Sequence, residues 1–427
     1  MTDYTKVDFF TDASLIDDPI PYYDYLHSLG PVIPVPERNA VFVVGFEEAV
    51  TVFRDSKTYS SCNSATGPIP PLPFAPAGDD IGALIDEHRM AMPYAGQVVV
   101  MDEPDHAPTR SLLMRLFTPS RLAANARYMQ TAGDRLIDEF AVSGQCEVIS
   151  EYGGPFATLV IADLLGVPEA DRGGFREMLS PEVREKMGVL PGQIGVENVQ
   201  AIAFDFLRDK FSAYVAKRRA NPQDDVMTEL ALATYPDGSA PDPLEAVKLA
   251  SFLFAAGQDT TARFLGASLR LMCERPEVQD QLRQDLSLLP DFIEEALRLE
   301  GSTKTEGRLA RVSTELGGVK IPAGTTLVLM ISAINRDPRR FEDPNAFRFG
   351  RPKIKEHLAF GRGAHTCAGA PLARAETRAS LERWLTRFSG IALSEEHHGP
   401  AGARHFSYNP SYVVRALRAL HLELITV

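Results

Sequence analysis

The residues with the clearest capacity for chemistry are residues 360–369, which read FGRGAHTCAG. Glycine and alanine surround a single cysteine, Cys367, so little side-chain bulk would keep its thiol away from a large flat partner. A helix is predicted from about Gly369 onward, which puts Cys367 just before a helix N-terminus, where the positive end of the dipole favours a thiolate. The alternative is that Cys367 is a small buried apolar residue in a turn.

A second candidate lies in a predicted long helix over residues 242–274. Asp242 and Pro243 suit its start, and Pro276 follows its end. Such a helix would be about 50 Å long and could cross a whole domain. Its segment SFLFAAG is apolar on all sides, which predicts burial throughout.

A glycine and polar residues follow directly in the buried middle of this helix, as Gly257, Gln258, Asp259, Thr260 and Thr261. A glycine in a helix interior costs roughly 1 kcal/mol, and a buried unpaired carboxylate costs more. Such local violations are often functional. The alternative is that the aspartate faces solvent and that the Thr260 hydroxyl bonds back to the Ala256 carbonyl.

Two further pairs have helical spacing. His106 and Arg110 lie at i, i+4 in DEPDHAPTRSLLMRLF, and two neighbouring cations predict an anion between them. The alternative for this pair is a solvated helix face. Glu295 and Arg298 lie at i, i+3 in DFIEEALRLE, where carboxylate and guanidinium can pair.

These motifs together resemble those of the cytochrome P-450 family of haem-thiolate monooxygenases. Residues 360–369 match the pattern F-G-x-G-x-H-x-C-x-G, and residues 256–261 match A-G-x-D-T-T at every specified position. The resemblance implies that Cys367 is the axial ligand of haem iron, which favours O–O cleavage. It also implies that Asp259 and Thr260 are the catalytic residues, which supply protons for oxygen activation.

The same resemblance implies haem b as the cofactor and suggests the residues that hold it. His106, Arg110, Arg308 and His365 would contact the haem propionates, and Glu295 with Arg298 would fix the core behind the haem, with Arg351 as a candidate third member. The remaining cofactor-binding positions that it implies are Ala256, Phe360, Gly361 and Gly369.

The predicted fold class is mainly α with a smaller β region, as in the cytochrome P-450 fold, and we expect one domain over residues 1–427. The helical core is predicted over residues 100–300 and 369–389. The β-rich parts are expected near residues 30–60 and 304–330, with a C-terminal hairpin near 403–427. The resemblance assigns the Pro- and Gly-rich residues 61–98 to a substrate-contacting loop and residues 180–195 to a lid.

Composition narrows the class of protein. A net charge of −13 argues against a general nucleic-acid binder, and four cysteines without C-x-x-C spacing argue against a disulfide framework or a zinc site. The first residues lack the pattern of a signal peptide, and no run approaches the roughly 20 apolar residues of a membrane span. We therefore expect a soluble, cytoplasmic protein with no membrane anchor.

The resulting hypothesis is a monooxygenase that inserts one atom of dioxygen into a small, mostly apolar organic substrate. Since no fused flavin or ferredoxin segment is visible, electrons would come from a separate ferredoxin and its reductase. Arg362, Arg115 and Arg121 could form a basic patch for that donor, or they could be scattered solvated side chains. A peroxide-driven haem-thiolate enzyme and a non-catalytic haem carrier or sensor are the alternatives.

One position departs from the family pattern. Residues 301–304, Gly-Ser-Thr-Lys, follow the E-x-x-R helix where an apolar or Pro-containing pair is usual. If the chain is extended from Lys304 to Arg308, Lys304 could point into the substrate cavity and hold a carboxylate. The alternatives are that Lys304 pairs with Glu306 or that its amine reaches solvent while its stem packs.

Overall fold

The computed structural model describes residues 3–64, 69, 71–178 and 200–427. The predicted lid at residues 180–195 lies outside them. Helices dominate, as the sequence predicts. They are α1 Ser14–Asp17, α2 Ile20–Leu29, α3 Phe46–Arg54, α4 Gly82–His88, α5 His106–Met114, α6 Pro119–Phe140, α7 Gly154–Leu164, α8 Glu169–Met178, α9 Gln200–Ala220, α10 Val226–Ala231, α11 Pro243–Cys273, α12 Pro276–Gln284, α13 Leu289–Glu300, α14 Ile331–Ile334, α15 Ala370–Arg387 and α16 Glu395–His398.

The strands are shorter and form a minor part of the described structure. They are β1 Val32–Val35, β2 Ala40–Val43, β3 Tyr59–Ser60, β4 Gln145–Glu147, β5 Glu306–Ala310, β6 Thr314–Leu316, β7 Val319–Ile321, β8 Thr326–Leu329, β9 Phe388–Leu393 and β10 His421–Thr426. One sheet has the order β1-β2-β8-β5-β3, a second has the order β4-β10-β9, and β6 pairs with β7.

The long helix α11 begins at Asp242 and Pro243, as the sequence predicted. Asp242 is its N-cap and accepts a hydrogen bond from the Leu244 backbone amide at 2.7 Å, and Pro243 occupies the first turn. This arrangement satisfies a helix-terminal amide that would otherwise lack a partner. The helix packs against α7, α9, α13 and α15, so most of its length is buried.

The core that surrounds α11 is the largest group of buried apolar side chains. It takes residues from α6, α7, α9, α13 and α15, and it includes fully buried Trp384 and Phe156. A smaller apolar group lies between the first sheet and α3. The site described below lies where α11, α13 and α15 meet the loop that precedes α15.

The C-terminal region matches the predicted hairpin only in part: Tyr408 and Leu417 form an isolated antiparallel bridge within residues 403–427. Strand β10 pairs antiparallel with β9 and β4, which lie outside residues 403–427. The stretch SYVVRAL forms no strand, and its Val414 makes an isolated bridge to Thr303. Alternating apolar residues predicted extended structure here, but they could not predict which distant segment would be the partner.

The described residues include no helix with both the length and the apolar character that a membrane crossing requires.

Candidate active site

The loop before α15 brings Cys367 into position through backbone contacts. The Cys367 amide donates a hydrogen bond to the Phe360 carbonyl oxygen at 2.9 Å, which closes the loop on itself. Gly363 has φ of +76°, and a Cβ at this position would overlap the Phe53 carbonyl oxygen. Glycine is therefore required at Gly363 by both the backbone angle and the available space.

The Cys367 thiol lies at the N-terminus of α15, as the sequence predicts. Burial raises the pKa of this thiol, while the amides of Gly369 and Ala370 and the Arg110 guanidinium act to lower it. The helix N-terminus thus favours a thiolate, but burial has the larger effect, so the pKa of the thiol is raised. A bound metal cation would reverse this balance, because a coordinating thiol loses its proton.

Cys367 opens onto a cavity of about 350 Å³. Much of its wall is apolar, with Val98, Phe252, Leu253 and Leu297 among the lining residues. The predicted site residues that line it are Arg110, Ala256, Thr260, Phe360, Gly361, His365, Cys367 and Gly369. Residues from α5, α11 and the cysteine loop, which are far apart in sequence, therefore meet around one space.

Four predicted donors, two histidines and two arginines, lie together at one side of this cavity. The rings of His106 and His365 lie 3.9 Å apart, and Arg308 and Arg110 are close enough to lower the pKa of His365. Burial is the larger cause, and together these effects bring that pKa to about 3. Burial, and to a lesser degree Arg110, also lower the pKa of His106.

The polar atoms of this group are only partly satisfied. His106 Nε2 is buried and has no hydrogen-bond partner in the described part of the chain. Arg110 donates to the Thr366 carbonyl oxygen, and Arg308 Nη1 lies 2.7 Å from the Glu306 carboxylate. Two guanidinium cations with an unpartnered ring nitrogen beside them are suited to an anionic ligand.

The signature residues of α11 point in different directions. Thr260 is exposed to the cavity, and its hydroxyl donates to the Ala256 carbonyl oxygen at 2.8 Å, as the alternative interpretation predicted. Asp259 is not among the residues that line the cavity, and it accepts hydrogen bonds from Arg263 Nε, at 2.8 Å, and from Arg263 Nη2. Only one of the two predicted catalytic side chains therefore faces the cavity.

The E-x-x-R pair forms a buried network with the expected third member. Arg298 Nε and Nη2 donate to the two Glu295 carboxylate oxygens at 2.9 and 2.8 Å. Arg351 Nε donates to the same carboxylate at 2.9 Å. Arg298 also donates to the Asn335, Pro344 and Ala346 carbonyl oxygens, so this network ties α13 to the segment before the cysteine loop.

The position of Lys304 contradicts each of the interpretations made from the sequence. It is 4% exposed and does not line the cavity, so it is neither a cavity anchor nor a solvated amine. Its amine donates to the Ser411 carbonyl oxygen at 3.0 Å and lies 5.5 Å from the centre of the Phe9 ring. Glu306 pairs with Arg308 instead, because residues two apart on β5 lie on the same face of the strand.

Contacts with neighbouring residues also reduce the charge of the predicted basic patch of Arg115, Arg121 and Arg362. Arg121 forms an ion pair with Glu229 of α10, and Arg115 Nη2 donates to the Thr234 carbonyl oxygen at 3.3 Å. Arg362 Nη2 donates to the Glu356 carbonyl oxygen at 3.0 Å. The charge of Arg121 is thus neutralised within the chain, which leaves Arg362 and Arg115 as the cations of this patch.

The fold and the cysteine site together define a haem-thiolate protein. Residues 190–401 match the family model described as Cytochrome P450. The chain is 30% identical to Cytochrome P450 144 of Mycobacterium tuberculosis over 434 residues, covering 99% of this chain and 93% of that protein. It is 34% identical over 303 residues to the cyclomarin C epoxidase CymV of Salinispora arenicola, covering 70% of this chain and 75% of that protein.

A solved structure supports the same assignment. Substrate-free CYP150A6 of Mycobacterium marinum is 50% identical, with a TM-score of 0.92, and the match covers 99% of this chain and 100% of that chain. The chain belongs to the cytochrome P450 family. It is therefore a monooxygenase, its cofactor is haem, and it acts on a small molecule with dioxygen.

The residues present fit that cofactor. The unpartnered His106 Nε2 and the cations beside it suit the two propionates, and the apolar cavity wall suits the porphyrin face. The Cys367 sulfur lies on the same cavity, with two backbone amides close enough to stabilise it as a thiolate.

Sequence reasoning missed Glu376 and assigned no role at this site to Thr261 or Ser302. Thr261 and Glu376 both line the cavity, and the Thr261 hydroxyl donates to Glu376 Oε2 at 3.0 Å. Ser302 Oγ donates to the Thr260 carbonyl oxygen at 2.8 Å. A signal for Glu376 was present, because it is one helical turn from buried Leu372 and therefore lies on the inner face of α15.

Proposed function

We propose that the protein is a haem-dependent monooxygenase in which Cys367 would be the thiolate ligand of the iron. Its substrate is a small, mostly apolar organic molecule, and its electrons come from a separate ferredoxin with its reductase. The observation that carries the proposal is that Cys367 and Thr260, from separate elements, line one largely apolar cavity beside two arginines and two histidines.

Each side chain has a distinct part in this proposal. When bound, haem activates dioxygen and transfers one of its atoms to the substrate. Cys367 would donate electron density to the iron, and His106, Arg110, Arg308 and His365 would hold the propionates. The apolar wall orients the substrate and excludes water.

The α11 residues serve proton transfer. The Thr260 hydroxyl lies at the cavity surface and can pass a proton inward, while Asp259, one residue earlier, is paired with Arg263. Since Asp259 does not line the cavity, its proton must reach Thr260 through water or through a change of rotamer.

The iron-ligand assignment is tested by carbon monoxide binding to the reduced protein. We expect the red-shifted Soret band that is typical of thiolate ligation, and its loss in Cys367→His with haem retained. Cys273→Ala is the matched control, because Cys273 lies at the end of α11 and does not line the cavity. Survival of the band in Cys367→His would show that another residue is the ligand.

Electron supply is tested separately. With ferredoxin, reductase and a substrate that shifts the haem spectrum, we expect substrate-dependent oxygen consumption. Charge reversal at Arg362 should slow reduction, and rising salt should slow it further, if this patch steers an acidic donor. Product formation with hydrogen peroxide alone would favour a peroxide-driven enzyme, and no turnover with either supply would favour a carrier or sensor.

Substrate class is addressed by spectral titration with a panel of small compounds. The cavity wall favours apolar ligands, with the hydroxyls of Ser302 and Thr303 as polar partners for a substrate. Because Lys304 does not line the cavity, acidic compounds should have no advantage over their esters through this residue. A consistent preference for acids would contradict the apolar assignment and point to Arg110, which lines the cavity.

A further inference from the structure

The loop over residues 61–98 reaches the cavity only near its two ends, among the residues that the structure describes. Ser64 lines the cavity close to the start of the loop, and Val98 and Val99 line it at the end. The Ser64 hydroxyl donates a hydrogen bond to the Val99 carbonyl oxygen at 2.6 Å, which ties the two ends together. We call these ends, residues 60–64 and 98–102, the loop base, and its geometry fixes part of the cavity wall.

The middle of the loop is attached to the first sheet instead of the cavity. Ile81, Ile85 and Met92 share a small apolar core with Leu309 of β5. The Ile81 amide also donates to the Arg311 carbonyl oxygen at 2.9 Å, just beyond the end of β5. These contacts hold the middle of the loop, but the position of the wall depends on the loop base itself.

A buried carboxylate joins the two halves of the loop base. Asp102 accepts a hydrogen bond from the Ser61 amide at 2.8 Å and another from the Ser60 hydroxyl. The Asp102 side chain is only 3% exposed. Hydrogen bonds to an ionised acceptor are about twice as strong as neutral ones, so this single side chain holds both ends of the loop with substantial energy.

Arg89, in the middle of the loop, completes the loop base. Its Nη2 lies 3.0 Å from the Asp102 carboxylate, and its Nη1 donates to the Val100 carbonyl oxygen at 3.4 Å. Val100 belongs to the same short turn as Val98 and Val99. The guanidinium therefore links the carboxylate to the turn that forms the cavity wall.

Neither Asp102 nor Arg89 lines the cavity, so neither side chain touches a ligand there. Their effect on a ligand must pass through the backbone of Val98 and Val99. Without the ion pair this turn has fewer constraints, and a ligand that packs against it must order it on binding. Such ordering costs free energy and weakens affinity.

We propose that Asp102 and Arg89 are positioning residues for substrate binding, which hold Val98 and Val99 in place and so favour ligands that reach this part of the wall. The inference rests on the proposed function, because it concerns ligands bound in the same cavity as the haem. Ligands too small to reach the wall are indifferent to the ion pair, and longer apolar ligands depend on it.

Spectral titration of the haem-loaded protein tests this dependence on ligand size. The probes are imidazole and 1-alkylimidazoles of increasing chain length, which bind the iron and extend into the cavity. We expect the ratio of Kd in Asp102→Asn to Kd in the wild type to be near one for imidazole and to rise to about tenfold for the longest probes. A ratio that does not change with chain length, whatever its value, would overturn the proposal.

Asp86→Asn is the matched control. Asp86 also pairs with Arg89 Nη2, at 3.1 Å, but its side chain is 61% exposed and it makes no contact with the loop base in the described structure. The Kd ratio of this variant should stay near one for every probe. A rise equal to that of Asp102→Asn would show that the effect comes from the charge of Arg89 alone.

Variants of Arg89 test the pairing and cover the case in which Asp102→Asn does not fold. Arg89→Met should show the same dependence on chain length, and Arg89→Lys should recover part of the affinity because it keeps a cation beside Asp102. The double variant Asp102→Asn with Arg89→Met should bind no more weakly than either single variant, since one contact is lost in all three. Additive losses would contradict a shared role.

Hydrogen exchange supplies a readout without any added ligand. The Ser61 amide donates to Asp102, so it should exchange faster in Asp102→Asn than in the wild type or Asp86→Asn. Equal exchange in all three proteins would show that the carboxylate does not hold the loop base. With a substrate found by titration, KM should rise in Asp102→Asn while kcat changes little, and a fall in kcat at constant KM would overturn the positioning role.

The carbon monoxide band separates this inference from the proposed function. A wild-type protein without the thiolate band contradicts the proposed function. An Asp102→Asn protein with the band intact and with a Kd ratio independent of chain length contradicts only the positioning role of Asp102 and Arg89.

Discussion

Arg263 and Asp259 lie one turn apart on α11 and form an ion pair, in which Arg263 Nε donates to Asp259 Oδ2 at 2.8 Å. The guanidinium is 5% exposed and the carboxylate 26% exposed. The Asp259 carboxylate therefore compensates much of the buried positive charge of Arg263. Asp259 thus has a structural role in addition to any role in proton transfer.

We predict that Asp259→Asn lowers both stability and turnover, and that a second substitution separates the two effects. The single variant leaves Arg263 without its carboxylate, which should cost about 1–3 kcal/mol of unfolding free energy. Asp259→Asn with Arg263→Met removes the uncompensated charge, so stability should recover. Turnover should stay low in the double variant, and full recovery of turnover would show that Asp259 has only the structural role.

Thr260 gives a prediction about coupling. Thr260→Ala removes the hydroxyl at the cavity surface but leaves the Ala256 carbonyl oxygen within the helix, so haem binding should be unchanged. Electrons should be diverted into hydrogen peroxide, because the proton donor nearest the reaction is lost. Thr260→Ser keeps the hydroxyl and is the matched control. Equal peroxide yields in wild type and both variants would contradict a role for Thr260 in proton transfer.

Local patterns in the sequence predicted the elements that carry the site. The caps of α11 were readable from Asp242 and Pro243, and α15 was readable from the small residues after Cys367. These features depend on neighbours in the chain, which is why a single sequence suffices to recognise them. The identity of the β10 partners depends on distant segments, and no local pattern encodes it.

The contacts of the Lys304 and Glu376 side chains also could not be predicted in full from the sequence. Lys304 is buried by Phe9 and Ser411, which come from opposite ends of the sequence. Glu376 could have been noticed, because an acid one turn from Leu372 interrupts the inner face of a helix. Its hydrogen bond with Thr261 could not have been predicted, because the contact joins residues that are 115 positions apart.

The Glu295 network predicts a large effect on stability with no direct effect on chemistry. Glu295→Ala leaves the buried Arg298 and Arg351 guanidinium groups without their shared carboxylate, which should cost about 3–5 kcal/mol. Chemical denaturation of the haem-loaded protein measures this loss. Glu277→Ala, at an exposed position in the first turn of α12, is the control, and a similar change in both variants would contradict the structural role.

Lys304 gives a prediction that depends on pH. Burial, with a smaller effect from Arg415, lowers the pKa of Lys304 from 10.5 to about 7. Between these two values the unfolded chain binds a proton that the folded protein does not, so this group makes stability rise with pH from about 7 to about 10.5. Lys304→Met has no such group, and its curve should lack that rise.

The same pKa shift determines whether the wild type or Lys304→Met is the more stable protein at a given pH. At neutral pH the wild type carries the full penalty of burying Lys304, no more than about 5 kcal/mol, since each pKa unit corresponds to about 1.4 kcal/mol. Lys304→Met avoids that penalty but loses the hydrogen bond to the Ser411 carbonyl oxygen, which offsets about 1–3 kcal/mol of the gain. We therefore expect the variant to be the more stable protein at pH 7 and the wild type to approach or overtake it near pH 10. Parallel curves would show that Lys304 keeps its proton in the folded state, with a compensating anion or water beside it.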